Sequence, residues 1–494
     1  GYAKSSGKVG FVVVTSGPGA TNAVTGIADA YLDSVPLLVF TGQVGRQSIG
    51  KDAFQEADTV GITAPITKYN YQIRETADIP RIVTEAYYLA RTGRPGPVEI
   101  DLPKDVSTLE VTEINDPSLN LPHYHESEKA TDEQLQELLT ELSVSKKPVI
   151  IAGGGINYSG SVDIFRAFVE KYQIPVVSTL LGLGTLPISH ELQLGMAGMH
   201  GSYAANMALV EAYYIINLGS RFDDRVVSNP AKFAKNAVVA HIDIDAAELG
   251  KIVKTDIPIL SDLKAALSRL LQLNKVKTDF NDWIKTVIEN KEKAPFTYEP
   301  QNHDIRPQET IKLIGEYTQG DAIIVTDVGQ HQMWVAQYYP YKNARQLITS
   351  GGMGTMGFGI PAAIGAKLAQ PNKNVIVFVG DGGFQMTNQE LALLNGYGIA
   401  IKVVLINNHS LGMVRQWQES FYEERRSQSV FDVEPNFQLL AEAYGIKHVK
   451  LDNPKTLADD LKIITEDEPM LIEVLISKSE HVLPMIPAGL HNDE

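Results

Sequence analysis

The stretch VIVFVGDGGFQMTNQELALLNGYGIAIKVVLINN, residues 375–408, carries the most information about the fold of this chain. Its apolar run Val375–Val379 leads into a glycine turn around Asp381, and a second apolar run, Ile401–Ile406, leads to Asn408. Short apolar runs separated by a helix-length segment are typical of buried strands in a parallel sheet. Asp381 and Asn408, 27 residues apart, would then meet where strands of an open α/β sheet end, which is the usual ligand crevice.

Asp381 and Asn408 offer the oxygen ligands that suit a magnesium ion. Magnesium prefers a carboxylate and neutral oxygens together with phosphate oxygens, and flanking glycines let backbone N–H groups approach a diphosphate. A Gly-Asp-Gly sequence alone is usually an ordinary turn. The two flanking strands, the spacing and the Asn-Asn ending favour a binding site instead. The pattern resembles the diphosphate-binding motif of thiamine diphosphate enzymes.

Length and composition restrict the class of protein. At 494 residues the chain exceeds the size at which single cores stop growing, so about three domains are expected. The formal net charge of −16 argues against nucleic-acid and anionic-membrane partners. Cysteine is absent, which excludes disulfides, thiolate nucleophiles and zinc–thiolate sites. Neither a run of about 18 apolar residues nor a signal peptide is visible, so we expect a cytoplasmic enzyme with no membrane partner.

Apolar runs alternate with helix-length segments along the chain, and this pattern predicts three doubly wound parallel-sheet α/β domains. Polar, proline-bearing stretches at 116–132 and 291–307 predict two linkers. We therefore place the domains at residues 1–125, 130–290 and 305–494. The runs predicted to be strands are Phe11–Thr15, Pro36–Thr41, Val98–Leu102, Pro148–Ala152, Tyr213–Leu218, Ala237–Asp243, Ala322–Val325, Val375–Val379, Ile401–Ile406 and Met470–Val474.

Further motifs in the third domain could contribute to a ligand site. The turn that ends at His331 could bind phosphate through its amides, although an ordinary helix start with an exposed histidine is the alternative. The glycine-rich stretch around Met356 lets backbone approach a ligand closely, whereas Met356 itself could be a prop or plain core. Met413 and Trp417 lie four residues apart in a predicted helix, so they share a face that could wall a site or pack in the core.

The second domain carries weaker signals. A triple glycine at 153–155 follows a predicted strand, but the chain has no full dinucleotide fingerprint. Asp243 and Asp245 at a strand end could bind a ribose or cap a turn. Arg221 and Arg225 offer a paired anion site or a solvated charge cluster. These residues alone leave the ligand undecided.

Several stretches resemble the catalytic large subunits of acetolactate synthase, and the resemblance covers nearly the whole chain. The matching stretches are Thr15–Gly19, Asp52–Glu56, Thr92–Pro97, Arg221–Arg225 and His241–Asp245. The resemblance implies three domains of the thiamine diphosphate enzyme type. They are a pyrimidine-binding domain that lacks its N-terminal part, a central FAD-binding Rossmann-like domain, and a diphosphate-binding domain.

The resemblance also implies the activity and the partners. The enzyme would be a transferase that decarboxylates pyruvate and joins the hydroxyethyl unit to a second pyruvate or to 2-oxobutyrate. The products would be 2-acetolactate and 2-aceto-2-hydroxybutyrate, for valine, leucine and isoleucine biosynthesis. Thiamine diphosphate, Mg²⁺ and FAD would be its cofactors, in a homodimer or dimer of dimers with a small regulatory subunit. The alternatives are a pyruvate oxidase-like oxidoreductase with the same thiamine diphosphate and FAD, and a non-catalytic thiamine diphosphate-binding subunit.

Residue roles follow from the same resemblance. Magnesium would be held by Asp381, Asn408 and the backbone carbonyl of Ser410. The catalytic set would be Gln55, Phe54 and Lys104, at the entrance to the partner subunit's cofactor, with Met356, Met413 and Trp417. Thiamine diphosphate would contact Val328, Gly329, Gln330, His331, Gly354, Met356, Gly380, Asp381, Gly382, Gly383, Asn408, Ser410, Leu411, Gly412 and Met413. FAD would contact Arg94, Gly154, Thr179, Leu180, Gly198, Met199, His200, Gly219, Arg221, Arg225, Asp243, Ile244 and Asp262.

One family residue has no match in this chain. The family carries an activating glutamate upstream of the segment that matches Gly1 and Tyr2, and no residue here aligns with it. We therefore expect the chain to be a fragment of a longer product. As given, it should be weakly active or inactive, because general acid–base assistance is typically worth about 10²–10⁴-fold in rate.

Overall fold

The structure is a computed structural model that describes residues 1–125, 129–301, 303–487, 489, 490 and 492. Within these residues the strands form three sheets in which all strand pairs are parallel, and this confirms the predicted α/β class. By its internal contacts the chain divides into two compact units. One unit is Tyr2–Ser127 with Ser350–Thr355, and the other is Gly1, Glu128–Thr349 and Met356–Glu494.

The first sheet has four strands in the order β1-β2-β4-β3. Its strands are β1 Gly10–Val14, β2 Leu37–Gln43, β3 Tyr69–Gln72 and β4 Pro97–Pro103. The helices of this region are Tyr2–Ser6, Pro18–Leu32, Thr59–Thr63 and Ile79–Arg91, with 3-10 turns at Arg46–Ser48, Ala64–Ile66 and Thr76–Asp78. Leu38, Val98 and Ile100 are fully buried, and the apolar face of helix Ile79–Arg91 packs against them.

Two carboxylates lie inside this first domain. Glu99 and Asp101 alternate along β4, so they point to the same side, and both are fully buried. Thr41 donates to Glu99 at 2.5 Å, and Asn70 donates to it at 3.1 Å. Gln72 donates to Asp101 at 2.9 Å. Burial raises the pKa of Glu99 to about 7, and burial likewise raises the pKa of Asp101.

A loop from later in the chain, Ser350–Thr355, belongs to the same unit and is held by helix Pro18–Leu32. Asp33 follows that helix and accepts hydrogen bonds from the amides of Gly351 at 2.9 Å and Gly352 at 2.7 Å. Asp29 accepts from the Thr355 hydroxyl at 2.9 Å. Two carboxylates therefore fix the backbone of the glycine-rich loop.

The second sheet has six strands in the order β10-β9-β8-β5-β6-β7. The strands are β5 Pro148–Ala152, β6 Val176–Ser178, β7 Gln193–Met196, β8 Tyr214–Leu218, β9 Val238–Asp243 and β10 Ile257–Leu260. The helices are Asp132–Val144, Gly155–Tyr158, Val162–Tyr172, Tyr203–Glu211, Leu263–Gln272 and Asn281–Lys293, with 3-10 turns at Leu180–Gly182 and Ala246–Glu248. The fully buried strands β5 and β8 lie at the centre of one apolar core.

Local sequence fixes where several of these helices begin. Thr131 forms a capping box with Gln134, which starts helix Asp132–Val144 at the last residue of the predicted linker. Ser202 caps helix Tyr203–Glu211 by accepting from Ala205. Asp262, one of the predicted flavin residues, caps helix Leu263–Gln272 in the same way. Part of the Asp262 side chain is therefore already engaged by its own helix.

The third sheet has six strands in the order β12-β11-β13-β14-β16-β15. The strands are β11 Ile323–Thr326, β12 Leu347–Ile348, β13 Val375–Gly380, β14 Lys402–Asn407, β15 Lys447–Leu451 and β16 Met470–Leu475. The helices are Pro307–Tyr317, Gln330–Tyr338, Gly359–Ala369, Asp381–Thr387, Leu391–Gly396, Gly412–Phe421, Phe437–Ala443 and Leu457–Asp460, with 3-10 turns at Asn388–Glu390 and Leu461–Thr465. Ile376 and Phe378 pack in one apolar cluster while Val377 and Val379 pack in another, so the sheet is covered on both faces.

The last described part of the chain packs on the second domain, within the same compact unit. Ile486 donates its amide to the carbonyl of Met199 at 2.9 Å, and the Pro484 carbonyl lies 3.0 Å from the His200 ring. The Asn492 amide donates to the Val226 carbonyl at 3.2 Å. Among the described residues, no helix has both the length and the apolar character needed to span a membrane.

Candidate cofactor sites at the strand ends

A pocket opens at the carboxyl ends of β11, β13 and β14 in the third domain. The residues that line it are Val328, Gly329, Gln330, His331, Trp334, Met356, Gly380, Asp381, Gly382, Gly383, Ile406, Asn408, Ser410, Leu411, Gly412, Met413 and Val414. All residues predicted to bind thiamine diphosphate are among them except Gly354, which lies in the loop Ser350–Thr355 of the other unit. The structure thus brings the predicted set together, and the binding role itself stays a prediction.

Asp381 and Asn408 lie in this pocket with their side chains held in place. Asp381 Oδ1 accepts from the Gly382 amide at 2.8 Å, and Oδ2 accepts from the Ser410 amide at 3.0 Å. The Asn408 amide group donates to Gln330 Oε1 at 3.1 Å, so its Oδ1 points the other way, where the Ser410 hydroxyl donates to it at 3.1 Å. Gln330 is fixed in turn by donating to Gln416 at 2.8 Å. These bonds orient two hard oxygen ligands toward the pocket.

The charge around Asp381 favours a cation. Burial, followed by the neighbouring Glu434 carboxylate, raises the pKa of Asp381 to about 7. Glu434 Oε1 is buried and has no hydrogen-bond partner among the described residues. Among the described residues, no group of three or more His, Cys, Asp or Glu side chains is arranged to hold a metal ion, so amide and backbone oxygens would have to complete a metal shell. A carboxylate with neutral oxygens is a donor set that fits magnesium.

His331 and the surrounding glycines fit an anionic group. The His331 ring is buried, its Nε2 has no partner among the described residues, and burial lowers its pKa to about 4, so it is neutral near pH 7. Gly380 passes so close to the ring that an added Cβ would lie 3.2 Å from His331 Nδ1. A Cβ at Gly412 would collide with Gln330 Oε1. The backbone at both places thus leaves little room for a side chain, and glycine there lets backbone amides come close to a diphosphate.

Asp327 was not among the predicted site residues, yet it organises one side of the pocket. Its Oδ1 accepts from the amides of Val328 at 2.8 Å and Gly357 at 3.1 Å, and its Oδ2 accepts from Gly359 at 2.8 Å. It thereby fixes the turn that follows Met356. The sequence could have identified Asp327, because it is a polar residue directly after a buried strand, as Asp381 is.

Met413 and Trp417 differ in their surroundings. Met413 lines the pocket and also packs against the core of the third domain. Trp417 is half-buried, and its ring packs edge-to-face on Phe421 with 5.2 Å between centroids. Trp417 is not among the lining residues, so its predicted role in the site rests on the resemblance alone.

The predicted flavin residues of the second domain lie at the carboxyl ends of its strands. One predicted residue lies at or just after the end of each strand: Gly154 after β5, Thr179 after β6, Gly198 after β7, Gly219 after β8, Asp243 at the end of β9 and Asp262 after β10. The other predicted residues of this domain are close to these in sequence: Leu180, Met199, His200, Arg221, Arg225 and Ile244. Strand ends of an open parallel sheet form the usual ligand crevice. Gly219 has a φ of 62°, and an added Cβ would lie 2.7 Å from Gly155 Cα. This close backbone approach and the arginines fit a dinucleotide.

The remaining predicted residues lie in the first domain. Phe54 is 88% exposed, and Gln55 and Lys104 are exposed as well. Gln55 has a φ of 63°, an uncommon conformation for a side chain other than glycine. Arg94, predicted to contact FAD, donates to the Ser34 hydroxyl at 2.9 Å. Phe54, Gln55 and Lys104 are thus on the surface of this chain.

Comparison with known proteins connects these sites to one family. Three family models match along the chain: the N-terminal TPP binding domain of thiamine pyrophosphate enzymes at residues 1–62, their central domain at 135–270, and their C-terminal TPP binding domain at 327–474. The matches follow the order of the three sheets.

Individual relatives are similar over the whole chain. The acetolactate synthase large subunit of Lactococcus lactis subsp. lactis (strain IL1403) is 98% identical over 494 residues, which are 100% of this chain and 86% of that protein. The acetolactate synthase isozyme 3 large subunit of Escherichia coli (strain K12) is 42% identical, covering 100% of this chain and 88% of the relative. The chloroplastic acetolactate synthase 1 of Oryza sativa subsp. japonica is 44% identical, covering 99% of this chain and 78% of the relative.

Proposed function

Since the chain belongs to the acetolactate synthase large subunits, we propose that the pocket at Asp381 and Asn408 is its thiamine diphosphate site. The protein is a thiamine diphosphate-dependent acetolactate synthase, a transferase of branched-chain amino acid biosynthesis. One observation carries the assignment of the pocket. A buried carboxylate and an oriented amide oxygen lie at adjoining strand ends among glycines.

Magnesium would be held by the side chains of Asp381 and Asn408 and by the backbone carbonyl of Ser410. The hydrogen bond from Asn408 to Gln330 supports this, because it leaves the amide oxygen available as a ligand. The His331 ring already hydrogen-bonds the Asp327 backbone, which leaves Nε2 of the neutral ring as an acceptor, so backbone amides of the turn would donate to a diphosphate oxygen. Gly380 and Gly412 would let the backbone approach the same group.

Thiamine diphosphate supplies, when bound, an electron sink for the electrons released with carbon dioxide. The chain's contribution is orientation and exclusion of water. Met356 would pack against the cofactor, and Asp327 holds the turn that follows Met356 by accepting from the Gly357 amide at 3.1 Å. Met413 adds an apolar wall to the pocket.

The substrates and partners follow from the family. We propose pyruvate as the first substrate and pyruvate or 2-oxobutyrate as the second, with Trp417 selecting between them. We also propose a homodimer in which Gln55, Phe54 and Lys104 cover the partner subunit's cofactor, together with a small regulatory subunit. The 88% exposure of Phe54 leaves its ring available for such a covering role. A fully active monomer in sedimentation would contradict the dimer.

FAD is proposed as a second, structural cofactor at the strand ends of the second domain. Purified protein should retain flavin, visible as absorbance near 450 nm on the order of one flavin per chain (an expectation from the family fold). Asp243→Asn should lower the flavin content, while Asp279→Asn, an exposed carboxylate outside the site, should not. If pyruvate bleached the flavin in proportion to carbon dioxide released, the flavin would be a redox partner and the structural role would be wrong.

The metal assignment is tested by calorimetry of thiamine diphosphate binding in the presence of Mg²⁺. Asp381→Asn removes the charge that faces the cation, so the affinity should fall by more than about 100-fold. Asp432→Asn, an exposed carboxylate, is the matched control and should bind as the parent does. Equal affinity in Asp381→Asn and in the parent would show that the cation lies elsewhere.

A further inference from the structure

Glu434 is a buried carboxylate beside the proposed magnesium site, and none of the roles assigned above uses it. Its side chain is 12% exposed, and its carboxyl group lies within hydrogen-bonding reach of Asp381. Glu434 Oε2 lies 2.5 Å from His409 Nδ1 and accepts from the Asn407 amide at 3.4 Å. Its other oxygen, Oε1, is buried and has no partner among the described residues.

The path of the chain brings Glu434 to this place. Backbone hydrogen bonds join the segment after β14 to a later loop: the Leu411 amide donates to the Ser429 carbonyl at 2.8 Å, and the Phe431 amide donates to the His409 carbonyl at 2.9 Å. The same loop continues directly to Glu434 and Pro435. The loop is therefore tied to the residues that flank Asn408 and Ser410, and its carboxylate is held near the proposed cation.

The charges around this pair are not balanced by the protein alone. Asp381 accepts hydrogen bonds from the amides of Gly382 and Ser410, and the basic group that contacts Glu434 is His409, which is partly exposed. Two buried carboxylates at hydrogen-bonding distance repel each other unless a cation or a proton compensates them. A nearby carboxylate, Glu473, likewise has a histidine partner, His448 at 3.1 Å, and accepts from Asn407 at 3.0 Å. Both partners of Glu434 contact its Oε2, so Oε1 is the oxygen left without a partner among the described residues.

We infer that Glu434 is a positioning residue of the cation site, which orients Asp381 and raises the affinity for a divalent cation by adding negative charge behind it. This inference rests on the cation site proposed above. Magnesium usually keeps several water ligands in proteins, and the unpaired Oε1 can accept a hydrogen bond from one of them. Outer partners of metal ligands typically account for about 10–100-fold in metal affinity.

The test measures Mn²⁺ affinity by electron paramagnetic resonance in the presence of thiamine diphosphate. Glu434→Gln keeps the size of the side chain and removes its charge, so Mn²⁺ affinity should fall by about 10–100-fold. Asp432→Asn removes one negative charge from an exposed position of the same loop and should leave the affinity unchanged. Asp381→Asn should lose binding altogether.

The melting temperature without cation separates this role from a purely structural one. The Glu434→Gln amide can donate to Asp381, so the cation-free protein should melt at the same temperature as the parent or higher. The stabilisation gained on adding Mg²⁺ with thiamine diphosphate should shrink, because less cation is bound.

Three outcomes decide against the inference. A lower cation-free melting temperature in Glu434→Gln would mean that the carboxylate only supports the fold. Parent-like Mn²⁺ affinity in Glu434→Gln, with binding lost in Asp381→Asn, would overturn the role of Glu434 and leave the cation site standing. Parent-like affinity in Asp381→Asn would remove the proposed site, and the inference with it.

Discussion

Replacing Glu99 with Gln should remove a pH dependence from the stability of the first domain. Burial raises the pKa of Glu99 from its ordinary value of 4.5 to about 7 in the folded protein. The folded state therefore holds the proton more tightly than the unfolded state. The stability contributed by this group is fully present below pH 4.5 and is lost as the pH rises through about 7. At about 1.4 kcal/mol per pH unit, the loss amounts to about 3 kcal/mol.

The Gln variant can keep the local hydrogen bonds. The side-chain carbonyl in Glu99→Gln can still accept from Asn70, and its amide can donate to the Thr41 hydroxyl. The Thr41 hydroxyl can then donate its own proton to Asp101, which lies 3.3 Å away. The variant should therefore gain stability relative to the parent as the pH rises from 5 to 8 (about 3 kcal/mol over this range).

Urea unfolding of both proteins at several pH values measures this difference, and Glu113→Gln, an exposed glutamate of the same domain, is the control. The first-domain transition should move with pH in the parent and in Glu113→Gln, and it should move much less in Glu99→Gln. Equal pH slopes in the parent and in Glu99→Gln would refute the reasoning that a buried, titrating Glu99 destabilises the domain.

Three further predictions concern the third domain. Gly412→Ala should weaken thiamine diphosphate binding by at least about 10-fold in calorimetry, because its Cβ would collide with a side chain of the pocket, whereas Gly396→Ala, which meets nothing within 4 Å, should not. His331 is neutral above about pH 4, so the affinity for thiamine diphosphate should not change between pH 6 and 8 through titration of His331. A pH-dependent change in affinity in this range that is lost in His331→Gln would contradict this. Trp417→Leu should shift the products toward acetolactate when pyruvate and 2-oxobutyrate compete, since one methylene in an apolar pocket is worth about 1–3 kcal/mol. An unchanged product ratio with a lower melting temperature would mean that Trp417 acts only in packing.

Apolar runs predicted the centres of the three sheets well. All predicted strands are present in the structure, and the run Pro148–Ala152 has the predicted bounds. Strands such as β5 and β13 are buried on both faces, so their sequences are apolar throughout and can be recognised without tertiary information. Helix Asn281–Lys293 ends just inside the stretch 291–307 that was predicted as a linker.

The strands that the sequence analysis missed are short or lie near sheet edges. β15, with the sequence KHVKL, and β3, with YNYQ, are largely polar and only partly buried. β12 consists of Leu347–Ile348 alone. Such segments are strands because a neighbouring strand offers hydrogen bonds, and that influence is not visible in the local pattern.

The residues of the candidate site also differ in whether the local sequence pattern identifies them. Asp381 and Asn408 could be predicted because each follows a strand and those strands, β13 and β14, are neighbours in the sheet. Glu434 could not be predicted, because a loop with no periodic pattern places it there through backbone hydrogen bonds to residues that are distant in sequence. Domain bounds and the roles of individual site residues remain predictions.

The most direct test of the whole account is an anomalous diffraction map of crystals grown with thiamine diphosphate and Mn²⁺ in place of Mg²⁺. We expect one strong manganese peak within coordination distance of the Asp381 carboxylate and the Asn408 amide oxygen, with the diphosphate beside His331. A manganese peak elsewhere, or thiamine diphosphate bound outside this pocket, would contradict it.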